Sequence, residues 1–139
     1  MIVQVKNKLL KEHFSEIGCF QFYEDIIVEH IAQGVHVTFE NAVEVIQIGE
    51  RIYGTEKPFV YISHRLNSYS MDPIGYKDAV QLFPNFKGLA VVAHSNRKRM
   101  LAQLEKAFMK RPMGVFDNLQ SAFFWAEKLL SDPNTRDYL

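Results

Sequence analysis

His64 and His94 each close an apolar run, "FVYIS" before the first and "GLAVVA" before the second. Imidazole is the side chain best suited to moving protons near neutral pH. If the two strands are neighbours, the rings would meet and form an acid–base pair. Asp72 or Asp117 would then orient it, with Ser63, Ser68 or Ser95 as nucleophile. The chain has no Gly-x-Ser-x-Gly elbow, no His-Glu-x-x-His and no phosphate-cradling glycine loop. A hydrolase-type enzyme using His64 and His94 is therefore the lesser reading. Histidines that end strands as ordinary polar boundary residues are the simpler one. His13, His30 and His36 show no evident partner in the sequence. Cys19 lacks a cysteine or histidine at ligand spacing, so neither a metal nor a cofactor is expected.

The second unusual stretch is "HSNRKR", residues 94–99. If a helix starts here, its first turn carries cations where the helix dipole already places partial positive charge. Its unpaired N–H groups, with Ser95, Asn96, Arg97 and Lys98, would suit a small anion or an acidic partner. His64, Arg65 and His94 complete the candidate set. The bland alternative is a solvated basic turn. The third stretch, "HRLNSYSMDP", residues 64–73, reads as a polar connector whose Asp72 caps a following helix.

These residues need elements to position them. "FQFY" and "DIIVEHIA" read as strands joined at Glu24 and Asp25, and a further strand within residues 2–14 is weakly signalled. The period then changes. In "TFENAVEVIQIGERIYG", Thr38 is the expected cap, Ala42, Val45, Ile46, Ile48 and Ile52 fall at helical spacing, and Gly54 is the stop. Three strand–helix units follow: "PFVYIS" with a helix near 73–83, "GLAVVAH" with one near 96–109, and "MGVFD" with one near 118–130. Ser95 or Asn96 would cap the second helix, and Asp117 with Gln120 the third. Right-handed crossovers make the last strands parallel, which gathers 63–72, 94–98 and Asp117 at one rim. Most of the aromatics fall at core positions, among them Phe39, Phe83, Phe108, Phe116 and Phe123. In "FFWA", Phe124 or Trp125 must leave the core face, which suggests either a homodimer surface or cover for a strand edge.

Bulk properties set the class. The chain has 139 residues, enough for one domain with a sizeable core. Lys plus Arg and Asp plus Glu are equal at 16 each, so no global field favours nucleic acid or an anionic membrane. A lone cysteine fits a reducing compartment. The N-terminus lacks the pattern of a signal peptide, and no apolar run is long enough to span a bilayer. The expected location is cytoplasmic.

The order of elements resembles the STAS domain, the fold of bacterial anti-anti-sigma factors, and in particular its divergent branch of small sporulation anti-anti-sigma-like bacterial proteins. The resemblance is carried by "GVHVTFENAVEVIQIGERIYG", "KPFVYISHRLNSYSMDP", "KGLAVVAHS" and "VFDNLQSAFFWAEKLL". It covers about residues 18–130 of a single domain spanning 1–139, with a polar tail at 131–139. It implies an α/β fold, a mixed sheet in which antiparallel N-terminal strands precede a helix and three βα units. It also implies a non-catalytic regulatory or sensing role with a protein partner or small anion at the rim. By the same resemblance, Ser68 and Ser70 match the turn that is phosphorylated at the start of the second helix, although the glycine and preceding aspartate of that turn are absent. The alternative function is a small-molecule or lipid-binding carrier, which requires an apolar cavity between sheet and helices.

Overall fold

The computed structural model of the chain describes residues 8–132. Residues 133–139 of the expected tail lie outside that range. Three antiparallel strands open the chain: β1 (Leu9–Ser15), β2 (Gly18–Tyr23) and β3 (Ile26–Ile31). β2 starts at Gly18, where a Cβ would stand 2.1 Å from the His30 carbonyl oxygen, so only glycine lets the two strands pair this closely. Then follow β4 (His36–Val37), α1 (Val43–Tyr53), β5 (Phe59–Arg65), β6 (Ser70–Met71), α2 (Pro73–Leu82), β7 (Phe86–Ala93), α3 (Asn96–Glu105), β8 (Met113–Phe116) and α4 (Leu119–Ser131).

The main sheet has the order β1-β2-β3-β5-β7-β8, with β3, β5, β7 and β8 parallel. This order explains the layers. From β3 onward each new strand is added on the same side of the last. Right-handed crossovers then put every connecting helix on the same face. Residues of α1, α2 and α3 accordingly share one core with Phe20, Ile27, Phe59, Leu89 and Val91. The helix after the last strand is under no such constraint, and α4 covers the opposite face. There Ala122, Phe123 and Ala126 pack on Ile26, Val28, Val60, Ile62, Ala90 and Val92. Both faces are covered, which is why "FVYI" and "LAVVA" are nearly continuous apolar runs.

Several local details depart from the sequence reading. Thr38 does not cap α1. It exchanges bonds with Asn41, Thr38 N–H to Asn41 Oδ1 at 2.8 Å and Asn41 N–H to Thr38 Oγ1 at 3.2 Å, and so closes a separate turn before the helix. Asn118 caps α4 in place of Asp117, its Oδ1 accepting from Ser121 N–H at 2.8 Å. Asp117 instead accepts from the Asn118 amide at 2.7 Å. Phe108, expected in the core, is 87% exposed, because α3 ends at Glu105 and the turn beyond does not return to the sheet. In "FFWA" Phe123 is buried and Phe124 exposed, while Trp125 packs on Phe116 with ring centroids 5.7 Å apart.

The stretch 66–72 is ordered rather than a free connector. β6 pairs in parallel with β4, matching His36 to Ser70 and Val37 to Met71. Further bonds run from Gly34 N–H to Ser68 O (2.8 Å), Ser70 N–H to Val35 O (3.0 Å) and Asp72 N–H to Val37 O (2.9 Å). Asn67 Nδ2 donates to Ile31 O at 3.0 Å, and Gln33 Oε1 accepts from Ser68 N–H at 2.8 Å. The result is a small clasp joining the end of β5 to the segment after β3.

Candidate functional site

Because β3, β5 and β7 are parallel neighbours, their carboxyl ends share one edge. Side chains alternate faces along each strand, so His30, His64 and His94 come together on the α4 side. His30 Nε2 stands 2.9 Å from His64 Nδ1, and His64 Nε2 stands 2.9 Å from His94 Nε2. The sequence suggested the meeting of His64 and His94 but left His30 without a partner; the structure corrects the latter. His36 also has a partner, Ser70 Oγ at 2.7 Å from its Nδ1, whereas His13 Nε2 lies 3.4 Å from Glu44 Oε2 without a hydrogen bond to it.

Burial lowers the pKa of His30, and burial with the neighbouring His30 and His94 pushes His64 down to about 4. At pH 7 His64 is therefore neutral, with one nitrogen donating and the other accepting. The three rings form a directional chain from a half-buried end at His30 to an exposed end at His94. Such a chain can pass a proton. Of the serines considered beside it, Ser63 faces the other side of the sheet and the Ser95 hydroxyl oxygen accepts from Lys98 N–H at 3.2 Å. One ion cannot take both nitrogens of His64, which point to different neighbours. Among the described residues, no group of three or more His, Cys, Asp or Glu is placed to hold a metal ion.

The opposite face holds a cavity of about 150 Å³ between the sheet and α1 and α2. Its walls are Ile17, Phe20, Ile27, Ile31, Val37, Val45, Gly49, Phe59, Phe83, Phe86 and Leu89. Thr38, Phe39, Ala42, Ile46, Met71 and Val80 line it too and retain solvent contact, which marks its mouth between the start of α1 and the β6–α2 segment. A roomy apolar space of this size arises because Gly49 and Ala42 put no bulk on the helix side.

One end of this cavity is polar. Glu29 is 4% exposed, and Tyr61 and Ser63 beside it also line the space. The Tyr61 hydroxyl donates to Glu29 Oε2, and the Ser63 hydroxyl to Oε1 at 3.1 Å. The Tyr69 hydroxyl lies 3.3 Å from the same Oε1 and 3.0 Å from Ser63 Oγ. Arg65 Nε donates to Ser63 Oγ at 3.2 Å, and its guanidinium pairs with Glu105 at 2.5 and 3.1 Å. Burial pushes the Glu29 carboxyl above its ordinary range, and this outweighs the hydroxyls and Arg65, all of which favour the charged form. Burying a carboxyl is costly unless it is fully hydrogen-bonded, so this cluster is a deliberate feature of the apolar wall.

The residues expected at the rim have mixed fates. Arg65 is paired with Glu105 on the cavity face. Asn96 Oδ1 accepts from Arg99 at 2.6 Å, and Arg99 also donates to Ala93 O at 2.7 Å, so the basic turn largely satisfies itself. Arg97 is exposed and Lys98 half-buried. Ser68 lies in the clasp and Ser70 in β6, so neither stands in the first turn of α2. The sequence reading missed Glu29 and Tyr61. The available signal was a lone acidic residue inside "DIIVEHIA" with "YIS" placing two hydroxyls two apart on a neighbouring strand.

No protein-family model and no curated protein matches the chain. Among solved structures, it is similar to an uncharacterised protein of the DUF3478 family with a SpoIIAA-like fold from Shewanella loihica. The similarity covers 91% of this chain and 99% of that one, with a TM-score of 0.51 and 11% identity. Among the described residues no helix is long and apolar enough to cross a membrane. At this identity the likeness is one of architecture, and it agrees with the order of elements: the chain has a SpoIIAA-like, STAS-type fold.

Proposed function

We propose that the protein is a non-catalytic sensing domain whose signal is a small, largely apolar molecule held in the cavity between the sheet and α1 and α2. The observation that carries this reading is the cavity itself, about 150 Å³ with walls of Ile, Val, Leu and Phe side chains and a mouth to solvent. Protein interiors are otherwise close-packed, and an apolar hole of this size stays dry and accepts benzene. Leaving it empty forgoes dispersion contacts along its whole lining, and an occupant would restore them. Val37 and Met71 line the cavity and also form the clasp, so occupancy is coupled to the outer segment 66–72, the surface offered to a partner. A small-anion role at the rim is less supported, because Ser95, Asn96 and Arg65 already have internal partners.

The test is a titration of isotopically labelled protein with benzene, followed by amide NMR. Shifts should concentrate at Ala42, Gly49 and neighbouring residues of α1, and should spare Ala122 and Ala126 of α4. Ala42→Phe, which places a ring at the mouth, should abolish them. Absence of saturable shifts in the wild type, or equal shifts on both faces of the sheet, would remove the proposal.

A further inference from the structure

Three imidazoles have six nitrogens, and in this chain four of them are spent on two contacts. His30 Nε2 faces His64 Nδ1, and His64 Nε2 faces His94 Nε2, each at 2.9 Å. A hydrogen bond at that distance needs one hydrogen between the two nitrogens, neither none nor two. The two contacts together therefore hold two hydrogens. The outer nitrogens, Nδ1 of His30 and Nδ1 of His94, hold the rest. Neutral imidazoles carry one hydrogen each, three in all, so one outer nitrogen is bare. A fourth hydrogen fills it and leaves both contacts whole, whichever ring carries the charge. A fifth must enter a contact already filled, where two N–H groups would meet head-on.

We propose that the three rings work as a single-proton switch: the first proton is held within the intact chain, and the second expels His94. His94 is the ring that leaves because it is exposed, whereas His30 and His64 are half-buried. Once it has left, His30 and His64 keep their own contact with one hydrogen between them. The groups around the rings do not alter this count. Cys19 stands opposite His30 on β2, and burial with the Glu12 charge raises its thiol pKa, so it adds no charge. From the other side α4 turns Ala122, Phe123 and Ala126 to the sheet. Glu29 and the Arg65–Glu105 pair belong to the cavity face. Arg97 and Lys98 begin α3 just beyond His94 and disfavour a second charge there, while Arg99 is bound to Ala93 O and Asn96. Asp117, at the same edge after β8, accepts from Asn118. His94 directly precedes Ser95, whose hydroxyl caps α3, so acid acts at the start of that helix. The switch lies on the α4 side of the sheet and does not depend on the cavity.

Nitrogen NMR of the imidazoles in the wild-type protein, titrated downward from pH 8, reads both quantities at once. Ring nitrogen shifts report where each hydrogen sits, and N–N couplings across the hydrogen bonds report the two contacts. Both couplings should be present while all three rings are neutral. Both should persist through the first proton, after which Nδ1 of His30 and of His94 should each carry hydrogen. With the second proton the His64–His94 coupling should vanish and the His30–His64 coupling remain. Loss of either coupling with the first proton would overturn the proposal. Two imidazoliums with both couplings intact, or neutral rings with neither coupling, would do the same. Amide spectra recorded alongside follow the fold, and unfolding of the whole chain before the second proton would overturn the expulsion of His94 as a separate step.

Discussion

Replacing Gly49 with alanine should make the protein more stable and a poorer binder at once. Gly49 lies inside α1 and is buried, with its open side facing the cavity. A Cβ added there would meet Phe83 at 3.5 and 3.9 Å, an ordinary van der Waals distance, and no backbone atom. Glycine inside a helix is about 1 kcal/mol less favourable than alanine. Burying one more methyl in an apolar space adds about 0.8 kcal/mol. The two together suggest a gain of about 1–2 kcal/mol. For a chain of this length each kcal/mol raises Tm by roughly 3–5 °C, between the values for smaller and larger domains. Urea denaturation should show a higher midpoint with an unchanged slope, since the surface exposed on unfolding is nearly the same. Benzene affinity should fall in the same variant, because the methyl occupies space the ligand needs. A lower midpoint would refute the reasoning: it would mean that α1 must approach Phe83 more closely than the cavity implies. Higher stability with unchanged ligand affinity would sever Gly49 from the binding site.

Two further outcomes follow from described contacts. Gly88→Ala should destabilise severely, by about 2–4 kcal/mol as for overpacked core sites, since its Cβ would stand 2.6 Å from Leu129 Cδ2, 3.0 Å from Pro112 O and 3.1 Å from Trp125; a midpoint within experimental error of wild type would show that α4 rides free of the sheet. The His64 pKa falls from 6.5 to about 4 on folding, so the unfolded chain binds the proton more readily. Stability is therefore present above pH 6.5 and is lost as pH falls toward 4. The ring is partly exposed, and the screened effect is about 1–2 kcal/mol. Burial of Glu29 acts in the opposite sense, its contribution being present below its ordinary pKa and lost as pH rises. Comparison of wild type with His64→Gln across pH 4–7 isolates the histidine part, and parallel stability curves would show that the ring chain carries no proton linkage.

Much of the architecture can be read from the residues, because its causes are local. Apolar runs bounded by Pro58, Gly88 and Gly114 mark the parallel strands, and Ser95 announces α3 with its own side chain. The layer arrangement follows from strand order and handedness once the strands are known to be neighbours. What escapes a linear reading is nonlocal. Asn118 rather than Asp117 caps α4, a choice between adjacent residues that only the helix axis decides. The two-residue ladder of β4 and β6 is too short to leave a periodic signal. His30 and Glu29 sit side by side in "VEHI", yet they serve opposite faces of the sheet. Each acquires its meaning from a strand more than thirty residues away, His30 from His64 and Glu29 from Tyr61 and Ser63. The cavity is an absence of atoms, and no motif encodes it. It follows from small residues at 42 and 49 opposite large ones at 59 and 83.

The pairing of Val37 with Met71 has a mechanical consequence. Each of these residues has its side chain against the hollow and its backbone in a ladder whose other rung holds Ser70, an exposed side chain bonded to His36. An occupant that pushes either side chain outward acts on both strands, since their backbones are paired with each other. The inner volume and the outer contour thus share one short piece of covalent chain. A molecule held inside would therefore be felt at the outer surface through that ladder.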